Sequence, residues 1–305
     1  MNPFKAPNVD HTFNLSPLNP CVCEDHEKYY APIDNTQLAF DDYKDYLKGF
    51  SNVPQRHAVL FHGETGCGKT SLMNRCLKLY HDTIWKLNGD TLAPYIIDVR
   101  SENLVAKSAE DKVTSILDYI YVTLGEETIA PNLQDEFGNQ LGKKTSVSLK
   151  FLENQLKRYK RLLIILFPEL STEEDVKAYM NDFYRLNWVL YFETENLGIS
   201  QYCKRHFRST SISPVKCLEV CPLNKEDGDI FIQKRLSMLP VESKKVDFHA
   251  EAVTKYLVSA LNRGGASVRE IEVICEKAYN NALCCNKDII QFEDIAQVAI
   301  SILQI

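Results

Sequence analysis

Eight consecutive residues combine three glycines, a lysine and a threonine at a spacing that suits phosphate binding. The segment Gly63-Glu-Thr-Gly-Cys-Gly-Lys-Thr70 fits the pattern G-x-x-x-x-G-K-[ST]. Glycines let such a loop curl so that its N–H groups point at an anion, and the following helix adds the positive end of its dipole. Lys69 would reach the β- and γ-phosphates, and the Thr70 hydroxyl would join the shell of a Mg²⁺ ion. We therefore predict a nucleoside-triphosphate site formed by Gly63, Glu64, Thr65, Gly66, Cys67, Gly68, Lys69, Thr70 and Ser71.

The residues on either side supply the strand and the helix that this pattern requires. His57–His62 is a compact apolar segment typical of a strand, and residues 70–80 have apolar side chains at helical spacing. Further strands are predicted at residues 95–99, 162–167, 188–192 and 215–220, with helices between them. Strands that alternate with helices favour a parallel sheet covered on both faces. The predicted fold is α/β, with a parallel-sheet core of about five strands.

The pattern changes after Pro222 to helices alone, which predicts a C-terminal all-helical lid domain. The segment Ser267-Val-Arg-Glu270 is a capping-box start for one of these helices. The expected domains are an N-terminal extension at 1–34, a nucleotide-binding core at 35–221 and the lid at 222–305. Residues 125–150, rich in glycine, asparagine, lysine and threonine, are predicted to be a long surface connection.

Composition indicates a globular protein of the cell interior, cytoplasmic or nuclear. The 305 residues are 25% charged and 45% hydrophobic, and the net charge of −6 argues against a generally basic nucleic-acid coat. No apolar run approaches the ~20 residues of a membrane span, and the N-terminus lacks the features of a secretory signal. The ten cysteines are therefore expected to be reduced. Cys21, Cys23 and His26 offer at most three metal ligands, so an ordinary loop is favoured there.

The predicted strand at 162–167 is followed by Pro168 and Glu169. In P-loop ATPases this strand typically ends in Asp-Glu, where the aspartate holds the Mg²⁺ shell and the glutamate polarises the attacking water. Glu169 can take the second part, but proline or phenylalanine stands where the aspartate would be. Either Thr70, the phosphates and waters hold Mg²⁺ alone, or hydrolysis is slow and nucleotide binding itself acts as the switch. The alternative is that Glu169 only starts a helix in solvent.

The segment Asn224-Lys-Glu-Asp227 matches the guanine-reading motif of GTPases. That interpretation also needs Asp-x-x-Gly at the end of the switch strand, which ends here in Phe-Pro-Glu-Leu170. A strand-to-helix junction with Asn224 as the N-cap is the better explanation.

Together these motifs resemble the AAA+ ATPase superfamily over residues 35–303. Residues 188–196, a buried strand ending Glu-Thr-Glu-Asn, look like that family's sensor strand, and residues 264–269 resemble its second sensor. The resemblance implies ATP and Mg²⁺ as cofactors and ATP hydrolysis as the activity. It also implies that Asn196, or Thr194, orients the water or contacts the γ-phosphate, and that Arg269 meets the phosphates. A strand-terminating turn is the alternative for Asn196.

Members of this superfamily usually work in rings or filaments, where an arginine from one subunit completes the neighbour's site. Arg205 and Arg208 lie in the expected stretch, with Arg208 slightly favoured of the two, although solvated surface basic residues are the more common explanation for such a segment. The implied function is an ATP-hydrolysing switch in a homo- or hetero-oligomeric assembly that remodels or recruits a protein partner. The layout is similar to the ATPases that accompany transposases or to switch modules of bacterial defence.

Two alternatives stay open. A non-hydrolysing nucleotide-binding scaffold, or a signalling or defence regulator, would explain the missing aspartate. A nucleic-acid partner would explain the basic segment Lys157-Arg-Tyr-Lys-Arg161, although such a run more often marks the solvated end of a helix.

Overall fold

The structure is a computed structural model that describes residues 2–6, 17–49, 56–88, 92–100, 108–126, 132–184, 186–206, 215–240 and 246–303. Contacts divide the chain into two units. The phosphate-loop unit comprises Met1–Asp42, Gly63–Lys78 and Glu219–Ile305, and the sheet unit comprises Tyr43–His62 and Leu79–Leu218. This division groups the glycine-rich loop with the C-terminal helices. The domain boundaries expected from the sequence remain predictions.

Five strands form one sheet, as predicted. They are β1 (His57–His62), β2 (Ala93–Asp98), β3 (Arg161–Leu166), β4 (Val189–Thr194) and β5 (Val215–Glu219). Their order is β2-β3-β4-β1-β5, and β1 pairs in parallel with β4, as β3 does with both β2 and β4. After β1 the chain crosses to the edge strand β2, and the next strands, β3 and β4, lie successively closer to β1. The direction in which strands are added to the sheet therefore reverses at β2. In a sheet with right-handed crossovers this reversal places helices on both faces.

The described helices occupy both units. They are α1 (Asp34–Lys48), α2 (Lys69–Asn88), α3 (Ala109–Glu126), α4 (Leu133–Gly138), α5 (Thr145–Arg158), α6 (Glu173–Asp182), α7 (Leu197–His206), α8 (Asp227–Leu236), α9 (Ala252–Ala260), α10 (Val268–Cys284) and α11 (Phe292–Leu303). The long connection predicted at 125–150 is wrong where α4 and the start of α5 lie. Leu149, Leu152 and Leu156 are buried at helical spacing, so packing overrides the polar composition of α5.

Among its described residues, the C-terminal part is helical apart from two short strands, so the prediction of helices alone after Pro222 is wrong at these positions. These are β6 (Asp247–Phe248) and β7 (Ile289–Ile290), which pair in parallel. Phe248 therefore lies in a strand, and α9 begins at Ala252.

The sheet unit has a core on each face of the sheet, because side chains alternate along each strand. On one face, Phe167 stacks on Phe192 with ring centroids 4.6 Å apart, and Tyr179 of α6 packs beside them. On the other face, the hydroxyls of Tyr43 and Tyr191 lie 2.8 Å apart, and both tyrosines are fully buried.

The phosphate-loop unit has its own core, which includes a residue from the very start of the chain. Phe4 is 2% exposed and lies against Phe231, Phe248 and Tyr279, at ring-centroid distances of 6.2, 5.7 and 6.1 Å. Phe4 thus packs the start of the N-terminal extension into this core, and burial of one such ring stabilises by about 1.5–3 kcal/mol.

Three further findings concern the described residues alone. None of their helices is long and apolar enough to cross a membrane. No disulfide joins any of the ten cysteines, all of which lie in the described part. No group of three or more potential ligands among these residues could hold a metal ion, and His26 Nδ1 instead accepts a hydrogen bond from the Asn19 amide at 2.8 Å.

Candidate nucleotide-binding site

The glycine-rich loop follows β1 directly and leads into α2. Lys69 is the first residue of α2 and is only 6% exposed. Its ammonium group donates hydrogen bonds to the carbonyls of Gly63 at 2.8 Å and Glu64 at 3.0 Å. The first turn of α2 has no acidic residue. The loop therefore presents a buried positive charge and the positive end of a 20-residue helix, which suits an anionic ligand.

Two of the glycines are needed for close approach. A Cβ atom on Gly63 would lie 2.2 Å from the Val220 carbonyl oxygen, so no other residue fits there without a backbone shift. Gly66 has φ of +78°, and its added Cβ would lie 2.9 Å from Ser267 Oγ and 3.1 Å from Arg269 Cβ. The loop thus packs against residues after β5 and against the start of α10 as only glycine allows.

The start of α10 is hydrogen-bonded to the loop within the phosphate-loop unit. The backbone N–H of Arg269 donates to the Gly66 carbonyl at 3.1 Å. Ser267 is the N-cap of α10, as predicted, because its Oγ accepts from the Glu270 amide at 3.1 Å. The Glu270 carboxylate receives the Tyr256 hydroxyl. The backbone hydrogen bond to Gly66 places Arg269, which the sequence predicted as a site residue, next to the loop. The Arg269 side chain is exposed.

Ser71 faces a segment that the sequence did not connect with the site. Its hydroxyl accepts a hydrogen bond from the Leu18 amide at 3.1 Å, and its carbonyl accepts from the Tyr30 hydroxyl at 2.7 Å. Asn74, fully buried one turn later, donates to the Leu18 carbonyl at 2.9 Å. The Arg75 guanidinium lies 4.7 Å from the Tyr30 ring centroid. Residues 18–30 therefore hold the first turns of α2 in place.

These features fit a phosphate chain with a bound cation. The loop curls through two left-handed glycines, Gly66 and Gly68, which turns successive backbone N–H groups inward. Thr70 follows Lys69 in the first turn of α2, where a hydroxyl can join an octahedral Mg²⁺ shell. Burial raises the pKa of the Cys67 thiol to about 11, so this loop cysteine is neutral at physiological pH.

Glu169 lies in the sheet unit, just beyond the end of β3. It is exposed, and its Oε1 accepts a hydrogen bond from the Glu195 amide at 3.1 Å. The next residue, Leu170, donates its amide to the Glu193 carbonyl at 2.8 Å. Glu169 does not start a helix, because α6 begins at Glu173. The catalytic role of Glu169 remains a prediction.

Thr194 is the last residue of β4 and Asn196 lies two residues beyond it, and of the two only Asn196 is available to a ligand. Thr194 is fully buried; its hydroxyl donates to the Leu170 carbonyl at 2.9 Å and accepts from the Asn196 amide at 3.1 Å. Asn196 is exposed, and its Oδ1 accepts from the Gly198 amide at 2.8 Å, so its Nδ2 is the atom that could meet a ligand. Thr194 joins the Glu169 loop to the Asn196 turn.

A buried ion pair holds the same loop from its other end. Lys112 of α3 donates to Asp175 Oδ1 at 2.8 Å, and both side chains are less than a tenth exposed. Asp175 Oδ2 accepts from the Thr172 amide at 3.2 Å, and Thr172 caps α6 in return. The Thr172-to-Asp175 spacing is a readable capping signal, but no local pattern points to Lys112.

Of the two arginines expected to act in a neighbouring site, Arg205 lies in the last turn of α7 and is exposed. Arg208 lies outside the described residues.

The turn at Asn224 gives no support to the GTPase interpretation. Asn224 Oδ1 accepts from the Asp227 amide at 3.1 Å, and Asp227 Oδ2 accepts from the Asn224 amide at 2.9 Å. The N-cap of α8 is Glu226 and the helix begins at Asp227, so the prediction of Asn224 as the N-cap is wrong, although both side chains hydrogen-bond within the turn before the helix.

The strand order, the phosphate loop after β1 and the helical C-terminal part define the fold of the AAA+ P-loop ATPases, as the sequence predicted. Aeropyrum pernix ORC2, solved as ADPNP–ADP complexes, is similar with a TM-score of 0.57 and 14% identity; the match covers 90% of this chain and 70% of that one. Drosophila ORC bound to DNA gives 0.56 and 13%, covering 98% and 68%.

Aeropyrum pernix ORC1 in complex with DNA gives a TM-score of 0.53 and 15% identity, with 88% of this chain and 64% of that one covered. No protein-family model and no curated protein sequence matches the chain. At this level of identity, the likeness concerns the fold.

Proposed function

We propose that this protein binds ATP with Mg²⁺ at the glycine-rich loop. The observation that carries the proposal is the buried Lys69 ammonium, held inside a loop whose glycines adopt left-handed backbone conformations. Lys69 would contact the β- and γ-phosphates, and Thr70 would join the Mg²⁺ shell. The similar ORC2 structure contains the nucleotides ADPNP and ADP, which favours adenine over guanine.

ATP hydrolysis is the proposed activity. Water would attack the γ-phosphorus in line, Glu169 would polarise that water, and Asn196 Nδ2 would orient it. In open parallel sheets ligands bind beyond the carboxyl ends of the strands, which is where both residues lie. Arg269 would meet the developing charge, together with Arg205 or Arg208 from a neighbouring subunit.

A specific observation favours a second candidate, a nucleotide-binding scaffold that does not hydrolyse. Pro168 stands where an aspartate would hold the metal shell, and proline offers no ligand. In that case ATP binding alone would change the subunit contacts.

With either candidate function, the protein would act by changing its conformation. An ATP-dependent change would alter how copies of this chain, or related subunits, assemble with one another and with a protein partner. DNA is the proposed nucleic-acid partner, because similar folds were solved bound to DNA.

Nucleotide binding is tested by titrating a fluorescent ATP analogue with Mg²⁺. We expect Lys69→Ala to weaken binding at least about tenfold, because the loss of charge-assisted hydrogen bonds costs about 1.5–3 kcal/mol. Lys86→Ala, an exposed lysine near the end of the same helix, is the control. Equal affinity of the two variants would refute the proposed site.

Hydrolysis is tested separately by steady-state phosphate release. Glu169→Gln should abolish phosphate release while leaving ATP affinity unchanged, because the amide is isosteric but cannot act as a base. If wild type binds ATP without releasing phosphate, the scaffold is the correct function. If Glu169→Gln hydrolyses at the wild-type rate, Glu169 is not the base.

A further inference from the structure

Helix α5 and its two flanks carry the densest positive charge of the described sheet unit. Residues 139–161 contain seven lysines and arginines and one acidic residue, whereas the whole chain has 35 basic and 41 acidic residues. The excess is therefore local and opposes the sign of the whole chain. We name its exposed members, Lys143, Lys144, Lys150, Lys157, Arg158 and Lys160, the α5 basic face.

Packing determines which side of α5 these charges occupy. Leu149, Leu152 and Leu156 are buried against the core of the sheet unit. Lys150 and Lys157 are seven residues apart in α5, about two helical turns, and both are exposed. Lys143 and Lys144 precede the first residue of the helix and Lys160 follows its end, so this stripe of exposed charges spans α5 and the residues just before and after it.

Little within the protein neutralises this stripe. The one acidic residue, Glu153, is buried and pairs with Lys150. Lys143 donates only to the neutral Gln140 side chain, at 2.7 Å. Among the described residues, Lys144, Lys157, Arg158 and Lys160 make no ion pair.

The acidic residues on the helices packed against α5 have other positions or partners. Asp135 and Glu136 are exposed on α4, and neither pairs with the stripe in the described part. On α6, Glu173 and Glu174 lie near Lys177, at 3.8 Å each, and Asp175 is bonded to Lys112. The face therefore keeps most of its charge.

Lys160 has a backbone conformation that lysine disfavours. It follows the end of α5 with φ of +55°, a left-handed position where glycine or asparagine is usual. Its carbonyl accepts from the Ala93 amide at 2.9 Å, which fixes that turn. A simple helix terminus does not need a lysine at this point.

From this juxtaposition we propose that the α5 basic face binds the phosphate backbone of a nucleic-acid duplex without reading its sequence. A 14-residue helix is about 21 Å long, which matches about six base pairs at a rise of 3.4 Å. Lysine and arginine side chains suit phosphates, and contacts to phosphates carry no sequence information. The proposal rests on the nucleic-acid partner named in the proposed function.

The test is fluorescence anisotropy of a duplex of about 20 base pairs, DNA or RNA, and of single-stranded DNA, without nucleotide, at about 50–200 mM salt. We expect the wild-type affinity for duplex to fall with salt, with a log–log slope near −4 if about four phosphates are neutralised. The variant Lys144→Gln/Lys157→Gln/Arg158→Gln should bind at least about tenfold more weakly, with a slope smaller by about three.

Two matched controls make the result decisive. Lys225→Gln/Lys255→Gln/Lys277→Gln removes the same charge from exposed lysines elsewhere and should bind like wild type. Lys144→Arg/Lys157→Arg/Arg158→Lys keeps the charge and should also bind like wild type. Absence of salt-dependent duplex binding, or an equal loss in both glutamine triples, would overturn the proposal.

The same samples separate this proposal from nucleotide binding. The α5 glutamine triple should bind the ATP analogue normally, and Lys69→Ala should bind duplex normally. If the wild-type protein binds duplex through this face but does not bind the ATP analogue, the proposed function is refuted and the basic face remains supported. Stronger binding to RNA than to DNA would identify the duplex as RNA.

Discussion

Replacing Thr194 by valine removes one hydroxyl from the centre of the sheet unit while preserving the shape of the side chain. That hydroxyl donates to the Leu170 carbonyl at 2.9 Å and accepts from the Asn196 amide at 3.1 Å. Leaving a buried polar group unsatisfied costs about 1–3 kcal/mol. Because Thr194 and Leu170 are 0% and 3% exposed, water cannot replace the lost partner of the carbonyl. We expect Thr194→Val to lower the free energy of unfolding by about 2–4 kcal/mol.

The same change should reduce hydrolysis more than nucleotide binding. Leu170 is adjacent to Glu169, so freeing its carbonyl loosens the loop that carries the proposed base, and freeing the Asn196 amide loosens the second proposed residue. A loss of about 1.4 kcal/mol in transition-state stabilisation corresponds to a tenfold lower rate. We expect at least this decrease in the phosphate-release rate, with ATP affinity unchanged.

Thr194→Ser is the matched control, because it keeps the hydroxyl and loses only a methyl group. Urea denaturation gives the free energy of unfolding, phosphate release gives the rate, and the fluorescent ATP analogue gives the affinity. Identical values for the serine and valine variants would refute the role given to the hydroxyl. A valine variant that is destabilised but hydrolyses at the wild-type rate would show that Thr194 is structural alone.

Three further predictions concern other contacts. Gly66→Ala should weaken ATP binding at least about fivefold, because a left-handed alanine costs about 1–2 kcal/mol and its Cβ would press on Ser267 Oγ. Titration with the fluorescent ATP analogue measures the affinity, and a wild-type value would contradict the prediction. Lys112→Met should lower the free energy of unfolding by about 3–5 kcal/mol, because it leaves the Asp175 carboxylate buried and unpaired; urea denaturation showing less than about 1 kcal/mol would exclude a structural ion pair. Cys67 should resist alkylation at pH 8, because a pKa of about 11 leaves about one thiol in a thousand as thiolate, and its reactivity should rise about tenfold per pH unit. Mass spectrometry of iodoacetamide-treated protein should find the exposed Cys284 modified first.

Much of the fold was predictable because its signals are local. The bounds of β1 match the apolar segment His57–His62, and the N-cap of α10 is the predicted Ser267. The start of α5 was missed, because its buried leucines are separated by polar and charged residues that dominate the composition. The two-residue strand at Phe248 was missed because its partner, Ile290, lies far along the chain.

The candidate site likewise has parts that the sequence predicts and parts that it does not. The turn at Asn224 was predictable because it depends on neighbouring residues, although the N-cap of α8 is Glu226. The hydrogen bonds between Ser71 and residues 18–30 join parts of the chain that are about 50 positions apart, and patterns of residue spacing do not predict contacts at that separation.

The amino-acid sequence alone determined that a glycine-rich loop lies between a buried strand and a helix, with the spacing that predicts phosphate binding, since such a loop and a helix start need only a few neighbouring residues. Tertiary structure decided how that loop and the residues near Glu169 are held. The Arg269 amide on the Gly66 carbonyl, the Thr194 hydroxyl on Leu170 and Phe4 in the C-terminal core all join distant segments. Such contacts depend on how packed elements meet, and a one-dimensional pattern does not contain that information.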